Sequence, residues 1–183
     1  MAIKIALFIL STVIISCGPA KYSLKEENDY FTFFNKDIGY TQGLELSVEE
    51  EEGARYAIGQ RIYTPEQKKR PDVVEDERPY AGHVYASYAK NIESLEGFYY
   101  GAQAGILGPL ALGKETQCGV HDLLDIYCPA GWGNQLRDEP TLNIKLGFKT
   151  TKQVQFILRT GYLENHIEAH AGTMLFEVQT ASR

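Results

Sequence analysis

The amino-acid sequence predicts an all-β fold, about eight antiparallel strands joined mostly by hairpins, with one helical loop. Three observations carry this. Segments of about ten residues alternate apolar and polar side chains, the period of a strand with one wet face. Turn residues fall between them, as at Asn35-Lys36-Asp37 with Gly39, in the acidic run 49–53 and at Thr150-Thr151-Lys152. One stretch, residues 117–121 (Q-C-G-V-H), has the spacing of a helical turn instead.

The N-terminus stands apart from the fold. Lys4 precedes an apolar run over residues 5–15, followed by Ser16, Cys17 and Gly18. A charged start, a short apolar run and a small-residue site describe a secretory signal over residues 1–17. A spanning helix needs about 20 apolar residues, and this run is shorter. Ile14-Ile15-Ser16-Cys17 also resembles a bacterial lipoprotein processing box, in which the cysteine becomes the lipidated first residue. Ordinary cleavage nearby, for example after Ala20, is the alternative. Residues 18–25 read as a linker and 26–183 as the β domain.

The first strand is expected over residues 26–34, with Asn28, Tyr30, Thr32 and Phe34 on one face. The second, 40–49, sends Gln42, Leu44, Leu46 and Val48 one way and Thr41, Gly43, Glu45 and Ser47 the other. The third, 54–64, alternates Tyr56, Ile58, Gln60 and Ile62 with Ala57, Gly59 and Arg61. Residues 65–78 form a polar loop rich in proline and charge. Its Lys68-Lys69-Arg70 cluster reads either as solvated charge or as a grip on an anionic group such as phosphate. Strands follow over 80–91 and 97–106, and Gly108-Pro109 then breaks the pattern. The helical loop runs to about Pro140. Beyond it Leu142, Ile144, Leu146 and Phe148 alternate with Asn143, Lys145, Gly147 and Lys149. A return strand carries Val154, Phe156 and Leu158, and a last one starts near His166.

A formal net charge of −6 without any basic footprint argues against a nucleic-acid partner. Apolar and aromatic residues recur to the C-terminus, which argues against long disorder. The alternation fits an outer-membrane barrel, whose apolar face meets lipid and whose closure leaves no strand edge unpaired. It equally serves a soluble sandwich or lipocalin-like barrel. The export signal, the tyrosine-rich strands and the short turns favour the membrane.

Gln117 and His121 are four residues apart, so on a helix their side chains lie one above the other, about 6 Å along the axis. That pairs an amide with the side chain suited to act as a base near neutral pH. A loop histidine bonded to a neighbour is the plainer reading. Trp132 and Tyr127 lie in the same loop, able to pack it down or to meet the membrane surface. Cys118 and Cys128 flank the stretch and suit a disulfide in an oxidising compartment, although spacing alone does not bring their Cβ atoms together. His83 reads as structural. His166 and His170 look like a metal pair, but on a strand that spacing separates them by about 13 Å.

Taken in order, several motifs resemble the outer-membrane lipid A 3'-O-deacylase family. They are Asn28-Asp29, Tyr40-Thr41-Gln42-Gly43, Gly59-Gln60-Arg61-Ile62-Tyr63-Thr64-Pro65 and Arg78-Pro79-Tyr80-Ala81-Gly82. Gly105-Ile106-Leu107-Gly108-Pro109 with Gly113 follows, then Gln117 with His121, Gly131-Trp132 with Gln135, and Glu139-Pro140. The resemblance implies an antiparallel transmembrane β-barrel of twelve strands in the bacterial outer membrane. Its site would lie between the wall and a helix of an external loop. It implies lipid A, within lipopolysaccharide, as substrate and Ca²⁺ as cofactor, with a histidine activating water as in secreted phospholipase A2. By the same resemblance His121 matches the base and Gln117 its neighbour. Asn28 and Thr41 match further catalytic positions, and Asp29, Asn28 and Thr41 the metal ligands. Lys68 falls in the substrate-binding basic loop, a role Lys69 also suits.

The residue types agree with that chemistry: a histidine can deprotonate water, and a hard cation takes oxygen ligands and steadies an oxyanion. The departure is length. The resemblance ends near Arg183 after about eight strands, so the chain reads as an incomplete barrel or as a small closed one. A non-catalytic outer-membrane protein or lipoprotein that binds lipid, or an inactive truncated homologue, is the other expectation.

Overall fold

The computed structural model describes residues 20–28, 41–73, 77–151, 154–161, 165–171 and 174–180. Among the described residues nine strands form one antiparallel sheet in sequence order, each paired with the next. They are β1 (Ala20–Asn28), β2 (Gln42–Glu50), β3 (Ala54–Tyr63), β4 (Ala81–Asn91), β5 (Phe98–Leu107), β6 (Glu139–Thr151), β7 (Val154–Gly161), β8 (Asn165–Ala171) and β9 (Met174–Thr180). Between β5 and β6 lies helix α1 (Gly113–Leu123), flanked by 3₁₀ turns at Pro109–Ala111 and Ala130–Asn134. Among the described residues no helix is long and apolar enough to cross a membrane.

The alternation seen in the sequence sets the two faces of this sheet. Leu142, Ile144 and Leu146 on β6 are 58%, 51% and 50% exposed, and they stand opposite Ala104, Ala102 and Tyr100 of β5. Half-exposed aliphatic side chains in a row suit hydrocarbon rather than water. Aromatic rings gather on the same face at one end, with Tyr56 against Tyr88 at 5.2 Å between centroids and Tyr88 against Tyr100 at 6.2 Å. The other face is polar. There Arg55 donates to Glu45 (2.7 Å) and Ser47 (3.1 Å), and the Tyr85 hydroxyl donates to Glu45 (2.8 Å). The Arg61 guanidinium lies 4.8 Å from the Tyr85 ring centre. A Cβ on Gly59, opposite Tyr85, would sit 2.5 Å from its ring, so glycine there lets the tyrosine lie flat across the neighbouring strand.

Two strands depart from the sequence reading. β1 occupies Ala20–Asn28, where a linker over 18–25 and a strand over 26–34 were expected. Its polar composition hides it, yet its register against β2 sets Lys21 opposite Glu49 and Lys25 opposite Glu45. Opposite charges across a strand pair stabilise that alignment. The remainder of the expected first strand lies outside the described residues. At the other end, the single run expected from His166 is a hairpin of β8 and β9, making nine described strands rather than about eight. The alternation changes phase between the two halves, Ile167, Ala169 and Ala171 giving way to Met174, Phe176 and Val178, and the antiparallel pairing of Ala171 with Met174 fixes the reversal.

The two ends of the sheet differ. At one, β2 joins β3 through residues 51–53, where Gly53 takes the left-handed conformation (φ 76°) a tight turn needs, and β4 joins β5 through residues 92–97. At the other lie the long loop 64–80 and the helical loop 108–138. Short turns at one end and long loops at the other are the asymmetry of outer-membrane strands.

Candidate functional site

The helical loop folds back onto the apolar face of the sheet at the long-loop end. Gln60, Ile62 and Gly82, in register on that face, meet it together. Gln60 Nε2 donates to the Ala111 carbonyl (2.6 Å). Gly82 and Gly113 cross backbone to backbone: a Cβ on Gly82 would lie 2.7 Å from Gly113 N, and one on Gly113 would lie 2.7 Å from Gly82 Cα. Two glycines at this crossing therefore let α1 touch the wall. Leu112 enters α1 with φ 57°, turning the chain from the 3₁₀ turn into the helix.

Behind that crossing is a buried cluster of Ile62, Tyr80 and Trp132, against which Cys118 packs. Tyr80 and Trp132 rings lie 5.1 Å apart at 55°. Such aromatic pairs contribute about 0.5–1.5 kcal/mol beyond area burial. Burial pushes the Tyr80 hydroxyl above its ordinary value, opposed by a Gly131 backbone hydrogen bond, so it stays a neutral donor. It donates to the Lys68 carbonyl (3.3 Å).

Both residues of the central pair lie on α1, but their side chains have different partners. Gln117 is 2% exposed, and its Oε1 accepts from Trp132 Nε1 (2.8 Å). An indole nitrogen only donates, so the amide orientation is fixed and Nε2 points elsewhere. That Nε2 is buried without a hydrogen-bond partner among the described residues. His121 is half-buried, and its Nδ1 lies 2.7 Å from the Tyr127 carbonyl. A carbonyl only accepts, so Nδ1 carries a proton, and in the neutral ring the lone pair is on Nε2. The expected closeness of Gln117 and His121 along the helix holds in the backbone. Each is oriented by a group the spacing did not point to, Trp132 and the main chain of Tyr127.

The basic loop reaches the same place. The Lys68 carbonyl accepts from Ala130 N (3.1 Å), and Asn134 Nδ2 donates to the Pro71 carbonyl (2.6 Å). Lys69 is exposed, with its ammonium 5.8 Å from the Tyr127 ring centre. Glu77 clasps this loop, accepting from the backbone of Glu66 (2.6 Å) and Gln67 (3.3 Å) and from Gln67 Nε2 (2.9 Å). The Gln67 amide, more than the two backbone donors and against desolvation, holds the Glu77 carboxyl below its ordinary 4.5.

Thr41 sits just before β2, its backbone N–H bonded to the Ile62 carbonyl (2.9 Å). Its hydroxyl is buried and shares a 2.5 Å hydrogen bond with that of Thr64, which follows β3. Asn28 ends β1 opposite Gln42, at this same end of the sheet; its side chain, and the whole of Asp29, lie outside the described residues. Hydroxyls are the hard oxygen donors Ca²⁺ takes, six to eight at a time with carboxylates among them. The donor type at Thr41 and Thr64 suits such an ion. Among the described residues no three of His, Cys, Asp and Glu converge to supply the rest.

His83, expected to be structural, is fully buried, hydrogen-bonded through Nε2 to the Thr141 hydroxyl (2.9 Å) and stacked on Tyr85. Its position on the polar face, away from α1, suits that role. His166 and His170 lie on β8, opposite Arg159 and Gln155, in the extended backbone that separates them. Cys118 and Cys128 form a disulfide with Cα atoms 4.9 Å apart.

No curated protein matches the chain. Its fold is similar to LpxR from Salmonella typhimurium, with a TM-score of 0.68 at 18% identity, over 82% of this chain and 61% of that one. This chain thus spans less than two thirds of that relative's length, and at such identity the likeness is one of fold. The model of the family described as outer membrane protein LpxR matches residues 4–182. With a nine-strand meander carrying its helical loop on the apolar face, the chain belongs to the LpxR family of outer-membrane proteins.

Proposed function

We propose that the chain is a lipid A deacylase that hydrolyses the 3'-O-linked acyl ester of lipopolysaccharide. The observation that carries this is the His121 imidazole, its Nδ1–H on the Tyr127 carbonyl, presented on a helix that lies along the lipid-facing side of the sheet. A base placed there meets an acyl ester at the edge of the hydrocarbon, where a barrel interior would not.

In this reading His121 Nε2 takes a proton from water as the oxygen attacks the ester carbonyl. The same nitrogen then gives that proton to the departing 3'-oxygen, leaving a free fatty acid and a sugar hydroxyl. Gln117 Nε2, buried and unpartnered, is a donor able to hold the water or the carbonyl oxygen. Lys68 and Lys69 bring positive charge to the phosphate groups of the sugar. Asp29, Asn28 and Thr41 would hold Ca²⁺, which when bound supplies a fixed positive charge for the oxyanion.

The test is mass spectrometry of lipid A from cells carrying the wild-type gene, His121→Ala, or none. Loss of the 3'-linked chain only with the wild type supports the reading. Identical acylation in all three would replace it with a non-catalytic, lipid-binding role.

A further inference from the structure

The segment that orients His121 is held by a covalent bond rather than by burial. After α1 the chain reverses at Asp125 (φ 57°), and residues 122–128 are all exposed. Exposed loops with few packed contacts open readily. Yet this one supplies the Tyr127 carbonyl to His121 Nδ1 (2.7 Å) and the Ile126 N–H to the His121 carbonyl (2.8 Å). The next residue, Cys128, is joined to Cys118, which lies three positions before His121 on α1 and packs on the buried Ile62, Tyr80 and Trp132 cluster. Positions three apart on a helix share a face. The disulfide and the imidazole hydrogen bond are therefore two adjacent rungs between the same helix face and the same two loop residues.

We infer that the Cys118–Cys128 disulfide is the positioning device of the base. It presses the Tyr127 carbonyl against His121 Nδ1 and so locks the tautomer whose lone pair is on Nε2. Free in water, a neutral imidazole favours the opposite form, with its proton on Nε2, in which the outward nitrogen could not take a proton. The main chain at Tyr127 is thus a positioning group and the two cysteines its staple. The inference rests on His121 being the base for its functional meaning, but the tautomer is readable without any activity.

The experiment uses the full chain, folded in detergent micelles with ¹⁵N-labelled histidine. The His121 signals are assigned by their loss in His121→Gln. Nitrogen spectra at a pH where the imidazole is neutral distinguish a protonated from a lone-pair nitrogen at each ring position. In the oxidised protein Nδ1 is expected to carry the proton. In the Cys118→Ser/Cys128→Ser double variant, and in wild type reduced by a phosphine after folding, the signals are expected to shift toward the Nε2–H form. Any deacylation should then fall about 10- to 100-fold in kcat with KM within about twofold, as expected when a reacting group is misplaced but the binding surface stays. The reduced wild type keeps the measurement valid if the double variant fails to fold. An Nδ1–H tautomer unchanged by both treatments would overturn the inference. A tautomer shift in a protein whose His121→Ala variant acts like wild type would leave the staple intact and reject the catalytic reading instead.

Discussion

Trp132 Nε1 donates to Gln117 Oε1 across 2.8 Å, joining the 3₁₀ turn after α1 to the helix itself inside the buried cluster. Because the indole can only donate, this one bond decides which way the amide faces. Trp132→Phe removes the donor and leaves a buried carbonyl oxygen unpaired, which costs about 1–3 kcal/mol. In a Gln117→Leu background the same change should cost far less, since no polar atom is then stranded. Equilibrium unfolding of the four proteins of this cycle measures the difference. Equal costs in both backgrounds would show that the bond does not hold the turn.

The crossing of Gly82 and Gly113 predicts a second outcome. Ala at either position places a methyl group into backbone of the other element, with 2.7 Å to the nearest atom. Backbone cannot swing aside as a side chain can, so α1 must lift from the wall. Such overpacking costs about 1–3 kcal/mol. Gly82→Ala and Gly113→Ala are expected to expose the loop around α1 to protease while the strands stay protected and, under the proposed function, to lower deacylation. A loop as resistant as wild type would reject the close contact.

Much of this was legible in the sequence where the alternation is strict. On β6, Leu142, Ile144 and Leu146 alternate with Asn143 and Lys145, and the exposed leucines mark the apolar face as expected. The first part of β1 was not legible, because the stretch with Lys21 and Lys25 reads as a linker until β2 sets Glu49 and Glu45 opposite those lysines. The helix announced itself through the four-residue spacing of Gln117 and His121. What orients them did not, since Trp132 is fifteen residues from Gln117 and the Tyr127 acceptor is main chain, which side-chain spacing cannot mark. Thr64 carried a signal, its place next to Pro65 at the end of the third strand, but its pairing with Thr41 needed the β2–β3 register.

The clasp of Glu77 makes the basic loop sensitive to acid. Its carboxyl is held below the ordinary 4.5, led by the Gln67 amide. A lowered folded value means that the stabilisation is complete above the unfolded value and disappears as pH falls through the folded one. Protection of the Glu66 and Gln67 amides, taken relative to the exchange of an unstructured chain at the same pH, should therefore be high at pH 6 and lower in acid, below the ordinary carboxyl range. Glu77→Gln should show the lower protection already at pH 6. Equal protection in the variant at pH 6 would show that the carboxylate does not order the loop.

Lys68 and Lys69 are separable by experiment. Lys68 is half-buried and its carbonyl ties the loop to Tyr80 and Ala130, whereas Lys69 is exposed and its ammonium lies over the Tyr127 ring. Lys69→Ala removes a cation–π contact of about 0.5–1 kcal/mol at an exposed site, so it should leave thermal stability nearly unchanged. If the pair grips phosphate, each alanine variant should raise KM with kcat little altered, and added salt should erase the difference from wild type. The measurement is deacylation of lipid A carrying or lacking phosphate, at low and high ionic strength. A KM that ignores both the phosphate and the salt would assign these lysines to loop structure alone.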